Sequence, residues 1–423
     1  MVRIIFLIIS IFTALLGFYT WISLQKMEDF PKLQLATKTL FITESLILIF
    51  VLFWLFFIQK STFTIPRSGF IGFVLMMVPL SFLLFSTFLL LEDLLFLGQF
   101  IFQKIKVFFN PHSNENVKIS RAEFLLQMGF WVSTVPIVAA LVSAQQAHAY
   151  KIHRIKITSK KIPKNFENFK IIQISDIHVG SLWNAKAVAQ GIEKILAEKP
   201  DLILFTGDLV NNDFSELNEE YQAIFSRLKA NLGIYSVLGN HDYGDYRLFP
   251  NQEAKAENFK KIQELHTKMG WNLLKNSSII LEKNSEKISL IGVENWGLHG
   301  FTQYGNLTKA YENIDKNSFQ ILMSHDPSHW RAEVLENFPN IDLTLSGHTH
   351  GFQAGIETPF FRFSPIQFRY PEWAGLYQEK QQFLYVNRGF GYIGFPGRIG
   401  ILPEITVFTL KNAENHTESM EEI

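Results

Sequence analysis

Cysteine is absent from the 423 residues. That excludes disulfides and thiolate metal sites, so any metal would be held by nitrogen and oxygen, a donor set suited to Mn, Fe, Co or Zn. A net charge is also lacking, since Lys plus Arg and Asp plus Glu number 39 each. A general nucleic-acid binder needs a basic surplus, so nucleic acid is not an expected partner. Charge of either sign is scarce in the first 150 positions, where Leu, Ile, Phe and Val dominate. Beyond them the chain alternates apolar and polar residues like a soluble protein, with no internal repeat. What is abundant is apolar: 48% of the residues are hydrophobic and 41 are Phe.

Four apolar runs, about 4–24, 40–58, 70–91 and 123–143, are each close to the roughly 20 residues that cross a bilayer. The first is too long for a signal peptide and no small-residue cleavage site follows. Pro79 and Pro136 fall inside the third and fourth, which membrane helices tolerate. Trp21, Trp54 and Trp131 are candidate interface anchors. The segment 94–109 follows Glu92 and Asp93 and ends near Lys104 and Lys106; it reads as a helix lying in the membrane interface. The competing reading runs the third span through it and places the acidic pair inside the membrane. Basic residues are spread over both flanks, but Lys151, Arg154, Lys156, Lys160 and Lys161 after the fourth span point to a cytoplasmic C-terminal domain. The expectation is a multi-pass integral membrane protein with the lipid bilayer as a partner.

From about residue 150 the pattern changes. "FKIIQISD" is a buried strand, and Val188, Ile192, Ile195 and Leu196 form one face of a helix that Pro200 closes. "DLILFTGD" and "GIYSVLGNHD" are further strands, with helices expected over 215–229 and 251–269. "SIILEKNSEKISLIGVEN" reads as a hairpin, and "FQILMSHD", "DLTLSGHTH", "FLYVNRGFGY" and "PEITVFTL" as strands. This is a layered α/β domain over 150–410, followed by a polar acidic tail, 411–423.

Five of these strands end in side chains that can bind metal: Asp176 and His178, then Asp208, Asn240, His325, and finally His348 and His350. In open α/β sheets, ligands bind beyond the carboxyl ends of the strands. Asp and Asn after a strand are ordinary turn residues, and one histidine is a weak signal. Five segments delivering this set to one rim indicate a site.

"DIHVG", "GDLV", "GNHD", "SHDP" and "GHTHG", in that order, resemble the motifs of the calcineurin-like metallophosphoesterases. The membrane half and "NRGFGYIGFPGRIGILPEITVFTL" are similar to the transmembrane proteins with a metallophosphoesterase domain. They are also similar to bacterial membrane-associated phosphoesterases, including a hydrolase of UDP-2,3-diacylglucosamine. The resemblance implies a two-sheet sandwich flanked by helices, behind an all-α region of four transmembrane helices. It implies two divalent ions. Asp176, His178 and His350 would hold one, Asn240, His325 and His348 the other, and Asp208 would bridge them. Two such cations neutralise a phosphoester's oxygens and activate water near neutral pH.

The same resemblance makes His241 the catalytic histidine; the competing role is orienting a ligand. Protein Ser/Thr phosphatases of this superfamily orient that histidine with an acid after the "GD" motif, where this chain has Asn211 and Asp213. Asp213 and Asp242 are then the candidate partners. Glu294 and Asn295 either support the ligands or only end a strand. Arg388 is a candidate for a substrate phosphate or for a structural turn. The expected function is a membrane-bound phosphoesterase acting on a phosphodiester or pyrophosphate, with a lipid-linked substrate suggested by the spans. The alternatives are a membrane sensor or scaffold that binds a phospho-ligand without turnover, and an enzyme for soluble diesters.

Overall fold

A computed structural model of the protein describes residues 2–25, 65–109, 122–298, 300–312 and 314–413, together with 34–35, 37–39, 41–43 and 45–46. It divides into two compact units, Met1–Val142 and Ser143–Ile423.

The first unit is helical: α1 (Val2–Gln25), α2 (Ile65–Phe109) and α3 (Ala122–Gln146). The second expected span lies almost wholly outside the described residues, as does Trp54. Among the described residues two helical stretches are long and apolar enough to cross a membrane, Met77–Lys106 and Gln127–Gln146. The segment 94–109 is not the separate helix expected. It continues α2 without a break, because "LLLEDLLFL" contains no helix-breaking residue. At 1.5 Å per residue, the 45 residues of α2 span about 67 Å, roughly twice the hydrocarbon thickness. Asp93 of the acidic pair is accommodated by a neighbour: Tyr19 Oη of α1 donates to its Oδ2 at 2.8 Å. Thr20 and Ser86 hydroxyls pair at 3.1 Å about two turns back along α2, and Ser81 Oγ donates to the Ser133 carbonyl of α3 at 2.7 Å. Such polar links hold apolar helices in register where hydrocarbon offers no other partner.

The second unit contains two six-stranded sheets. The first has the order β1 (Lys151–Ser159), β14 (Glu404–Asn412), β2 (Lys170–Ile174), β3 (Leu202–Phe205), β4 (Ile234–Ser236), β5 (Asn272–Leu273). The second has the order β12 (Gly375–Glu379), β13 (Gln382–Val386), β9 (Leu343–Ser346), β8 (Phe319–Met323), β7 (Glu286–Gly292), β6 (Ser277–Lys283). A small hairpin, β10 (Ile356–Glu357) and β11 (Arg362–Phe363), stands apart. The basic run after the fourth span is strand β1, paired in parallel with β14, with Lys151, Arg154 and Lys156 exposed.

Strand alternation divides the core. Ile171, Leu202 and Leu204 meet Leu290, Ile321, Met323 and Leu345 between the sheets. Ile172, Ile174, Ile203 and Phe205 face the opposite way, against α4 (Ala185–Ala197), α5 (Glu219–Phe225) and α6 (Gln252–Lys268). The expected α4 face is real, with Val188, Ile192 and Ile195 buried at helical spacing. Each such side chain contributes about 1.5–3 kcal/mol. Asn184 caps α4 by accepting from the Ala187 amide at 3.0 Å. The helix expected over 215–229 is shorter, since Asp213 caps a 3-10 turn at Phe214–Glu216 before α5 begins.

Because β2, β3 and β4 run parallel in one sheet and β8 and β9 parallel in the other, their C-terminal ends form two adjoining rows. Gln173 Nε2 ties the sheets together there, donating to Thr206 Oγ1 at 3.0 Å and to the Ser346 carbonyl at 2.9 Å.

Candidate metal centre

Beyond each strand end the backbone turns sharply. Asp176, His178, Asp208, His348 and His350 all adopt positive φ, between 46° and 70°. Each such non-glycine residue costs on the order of 1–3 kcal/mol, strain that clusters at functional sites. Gly207, at φ 100°, makes room for the turn, as a Cβ there would sit 2.6 Å from the Gly239 nitrogen. Gly347 is needed for close approach, as its Cβ would lie 2.2 Å from Asp176 Oδ2.

The turns bring all seven candidate ligands together. His178 Nε2 and His350 Nε2 face each other at 3.0 Å, and Asp176 Oδ1 lies 3.2 Å from His350 Nε2. On the other side, Asn240 Oδ1 is 2.9 Å from His348 Nδ1 and 3.2 Å from His325 Nε2. Asp208 Oδ2 faces both sets, 3.4 Å from His178 Nε2 and 3.2 Å from His325 Nε2. Two groups, Asp176 with His178 and His350, and Asp176 with Asp208 and His325, each converge closely enough to hold a metal ion. Asp176 thus reaches toward both.

The donor chemistry fits divalent cations. Facing Nε2 atoms cannot both be donors or both be acceptors of one hydrogen bond, and the Nδ1 atoms of His178 and His350 are buried without a partner. A divalent cation would take both Nε2 lone pairs at once, where a hydrogen bond between them needs two different tautomers. The charges agree: burial would raise Asp176 and Asp208, but facing histidines, His350 for Asp176 and His325 for Asp208, hold both carboxyls below their usual range. Burial lowers His178, His348 and His350, against the opposing pull of the nearby carboxylates. For His325, burial is outweighed by Asp208 and Asp176, which push it up to about 10. Metal entry must displace that proton.

His241 lies beside this set, its ring edge-on to His178 at 4.9 Å between centroids. Neither candidate acid orients it. Its Nδ1 donates to the Asn211 carbonyl at 2.8 Å, and its backbone amide to Asp208 Oδ1 at 2.9 Å. Asp242 instead accepts the amides of Asp208, Leu209, Val210 and Gly239, and Asp213 pairs with Arg247. With Nδ1–H fixed on a carbonyl, the neutral ring is a base at Nε2 and only the imidazolium donates from it.

Arg388 is not placed for substrate. Its side chain is buried, donating from Nη1 to Glu404 Oε2 at 2.6 Å and from Nη2 to Glu357 Oε1 at 2.5 Å. Glu294 bonds Asn276 at 2.7 Å and Tyr243 at 3.3 Å rather than a ligand, and the Asn295 amide donates to the Tyr243 hydroxyl at 3.3 Å. Several residues that sequence reasoning missed do touch the ligands. Tyr370 Oη lies 2.9 Å from His348 Nε2, and Tyr246 Oη accepts from Asn240 Nδ2 at 2.8 Å while its ring packs on His241. Arg398 is fully buried and donates to the carbonyls of His350 at 3.2 Å, Arg388 at 2.7 Å and Gly389 at 3.1 Å, and also to that of Gly391. Burial lowers it to about 10. It ties the last ligand loop to "NRGFG". Only its position between two glycines hinted at a special backbone.

Residues 169–352 match the calcineurin-like phosphoesterase family. The chain is 32% identical over 305 residues to the metallophosphoesterase YkuE of Bacillus subtilis, covering 70% of this chain and 99% of that protein. The protein belongs to the calcineurin-like metallophosphoesterases. Within them it joins a membrane-bound branch, because residues 2–146 match the four-span transmembrane domain of calcineurin-like phosphoesterases. It is 29% identical to the transmembrane protein with metallophosphoesterase domain of Danio rerio, over 67% of this chain and 62% of that one. It is 27% identical to the UDP-2,3-diacylglucosamine pyrophosphatase LpxG of Chlamydia muridarum, over 62% of this chain and 92% of that one. The chain is a membrane-associated metallophosphoesterase, a metal-dependent phosphoester hydrolase.

Proposed function

We propose that the protein hydrolyses a phosphodiester or pyrophosphate carried by a membrane lipid or glycolipid-linked nucleotide, at a centre of two divalent ions. The observation that carries the chemistry is the single Asp208 oxygen facing His178 on one side and His325 on the other. Asp176, His178 and His350 would hold one ion, Asn240, His325 and His348 the second, and Asp208 would serve both. Ions held there neutralise phosphoryl oxygens and supply hydroxide from water near neutral pH. Asn211 and Tyr246 hold the His241 ring, whose Nε2 delivers a proton to the departing oxygen when the ring is cationic. Arg398 keeps the His350 loop in place beneath.

The substrate class rests on the transmembrane domain and on the likeness to LpxG. Tethering the centre at the bilayer raises the effective concentration of a membrane-embedded substrate. The exposed basic residues of β1 support a cytoplasmic side for the domain. The test uses the full chain in bilayers with Mn²⁺. A nucleotide-linked glycolipid should be cleaved with much higher kcat/KM than its deacylated form. Equal efficiency would remove the lipid reading and leave a phosphoesterase of soluble diesters.

A further inference from the structure

The segment directly after the last candidate ligands carries its apolar side chains outward. Phe352 follows His350 by two residues and is exposed, as are Ile356 and Phe361. Phe360, at the tip of the β10–β11 hairpin, is 98% exposed, and Phe368 in the next turn is 82% exposed. Loop tips are normally built from small or polar residues. This one is held firmly in shape: the Thr358 amide donates to the Phe361 carbonyl at 2.9 Å, and the Phe361 amide to Thr358 Oγ1 at 2.9 Å.

The base of the hairpin is as firmly tied to the body. Glu357 accepts from buried Arg388 at 2.5 Å, and Arg362 Nη1 donates to the Ala374 carbonyl at 2.7 Å. Ser364 Oγ donates to the Gly351 carbonyl at 2.8 Å, joining the hairpin to the loop that carries His348 and His350. Tyr370, at the end of the segment, bonds His348. The hairpin and the loop of His348 and His350 are therefore joined by several hydrogen bonds. Between residues 352 and 370 the only acid is Glu357, which turns inward to Arg388, while Arg362 and Arg369 are exposed among the phenylalanines.

We infer that this hairpin is a membrane-docking element that inserts Phe360, Phe361 and Phe368 into the leaflet facing the catalytic domain. Apolar tips flanked by cations suit the boundary between acyl chains and anionic headgroups, where amphipathic elements sit about 5–10 Å deep. The same chain carries a four-span membrane domain, so a bilayer is always within reach. Because the hairpin is tied to the ligand loop, its depth sets the height of the centre above the leaflet. A lipid phosphoester would be cleaved at headgroup level with its acyl chains still in the membrane. The inference rests on the lipid-substrate reading for its purpose, while the insertion itself is measured without turnover.

The absence of cysteine makes the test direct, since Phe360→Cys or Phe368→Cys creates a unique thiol in the full chain. Each variant is labelled with an environment-sensitive NBD dye and placed in nanodiscs of phosphatidylcholine and phosphatidylglycerol. Metal content checks that the centre is intact. The expected result at both positions is blue-shifted emission, mostly lost to doxyl-labelled lipid and little affected by aqueous iodide. A label at Glu257→Cys, on the exposed side of α6, should show the reverse. Quenching by iodide at Phe360 and Phe368 would overturn the inference. Protection from both quenchers would overturn it too, showing protein rather than lipid over the hairpin. Should lipid substrates go uncleaved while the labels are quenched by doxyl lipid, the docking element would stand and the substrate reading would fail.

Discussion

Arg388→Met separates a substrate-binding arginine from a structural one. Arg388 and Glu404 are both buried, and the Arg388 guanidinium also meets Glu357. Burial would raise the Glu404 carboxyl, but Arg388 holds it down, from an ordinary 4.5 to about 2. That difference corresponds to about 3 kcal/mol. Removing one partner of a buried ion pair costs about 3–5 kcal/mol, because a charge is left buried without compensation. For a domain of this size the loss corresponds to a melting point lower by roughly 5–9 °C. Glu404 has its pKa depressed in the folded state, so the stabilisation is complete above about pH 4.5 and is lost as the pH falls toward about 2. In the variant, burial is no longer opposed by Arg388, and Glu404 takes up a proton more readily. The gap between the two proteins is therefore widest at neutral pH and narrows as the pH drops. The assay is thermal melting of the full chain between neutral pH and about pH 4, with KM measured alongside. An Arg388→Met protein that melts with the wild type at neutral pH but shows a raised KM would refute the ion-pair reading and restore a substrate role.

Asp208→Asn should lower bound metal below two ions per chain more than any other single substitution in the set, read by elemental analysis; retention of two would remove the bridging role. His241→Ala should cut turnover by roughly 10²–10⁴ with metal content unchanged. A loss of metal there would make His241 a structural residue. Gly207→Ala should destabilise the domain by more than about 1 kcal/mol, since it adds left-handed strain to a 2.6 Å clash with Gly239, and calorimetry would show it.

Residue type and strand periodicity were enough to place the seven candidate ligands. A histidine or aspartate just past an apolar run must emerge at a strand end, and parallel strands put those ends on one edge. β2, β3, β8 and β9 were therefore readable one by one, as was the α4 face built on Val188, Ile192 and Ile195. What tertiary structure alone decided were the partnerships between distant segments. β1 reads as a basic run after a membrane span and becomes a strand only because β14 lies beside it, some 250 residues on. Arg388 in "NRGFG" suggests an anion site until Glu404 and Glu357 close around it. His241 is oriented by the Asn211 carbonyl, and Arg398 by four more carbonyls, groups that every residue carries and no sequence pattern distinguishes. Glu92 and Asp93 look like the end of a span because hydropathy weighs each residue alone, whereas α2 runs on through them with Tyr19 of another helix bonded to Asp93. Periodicity reports the direction in which a side chain leaves its own backbone; what it meets there depends on chain that is close only after folding.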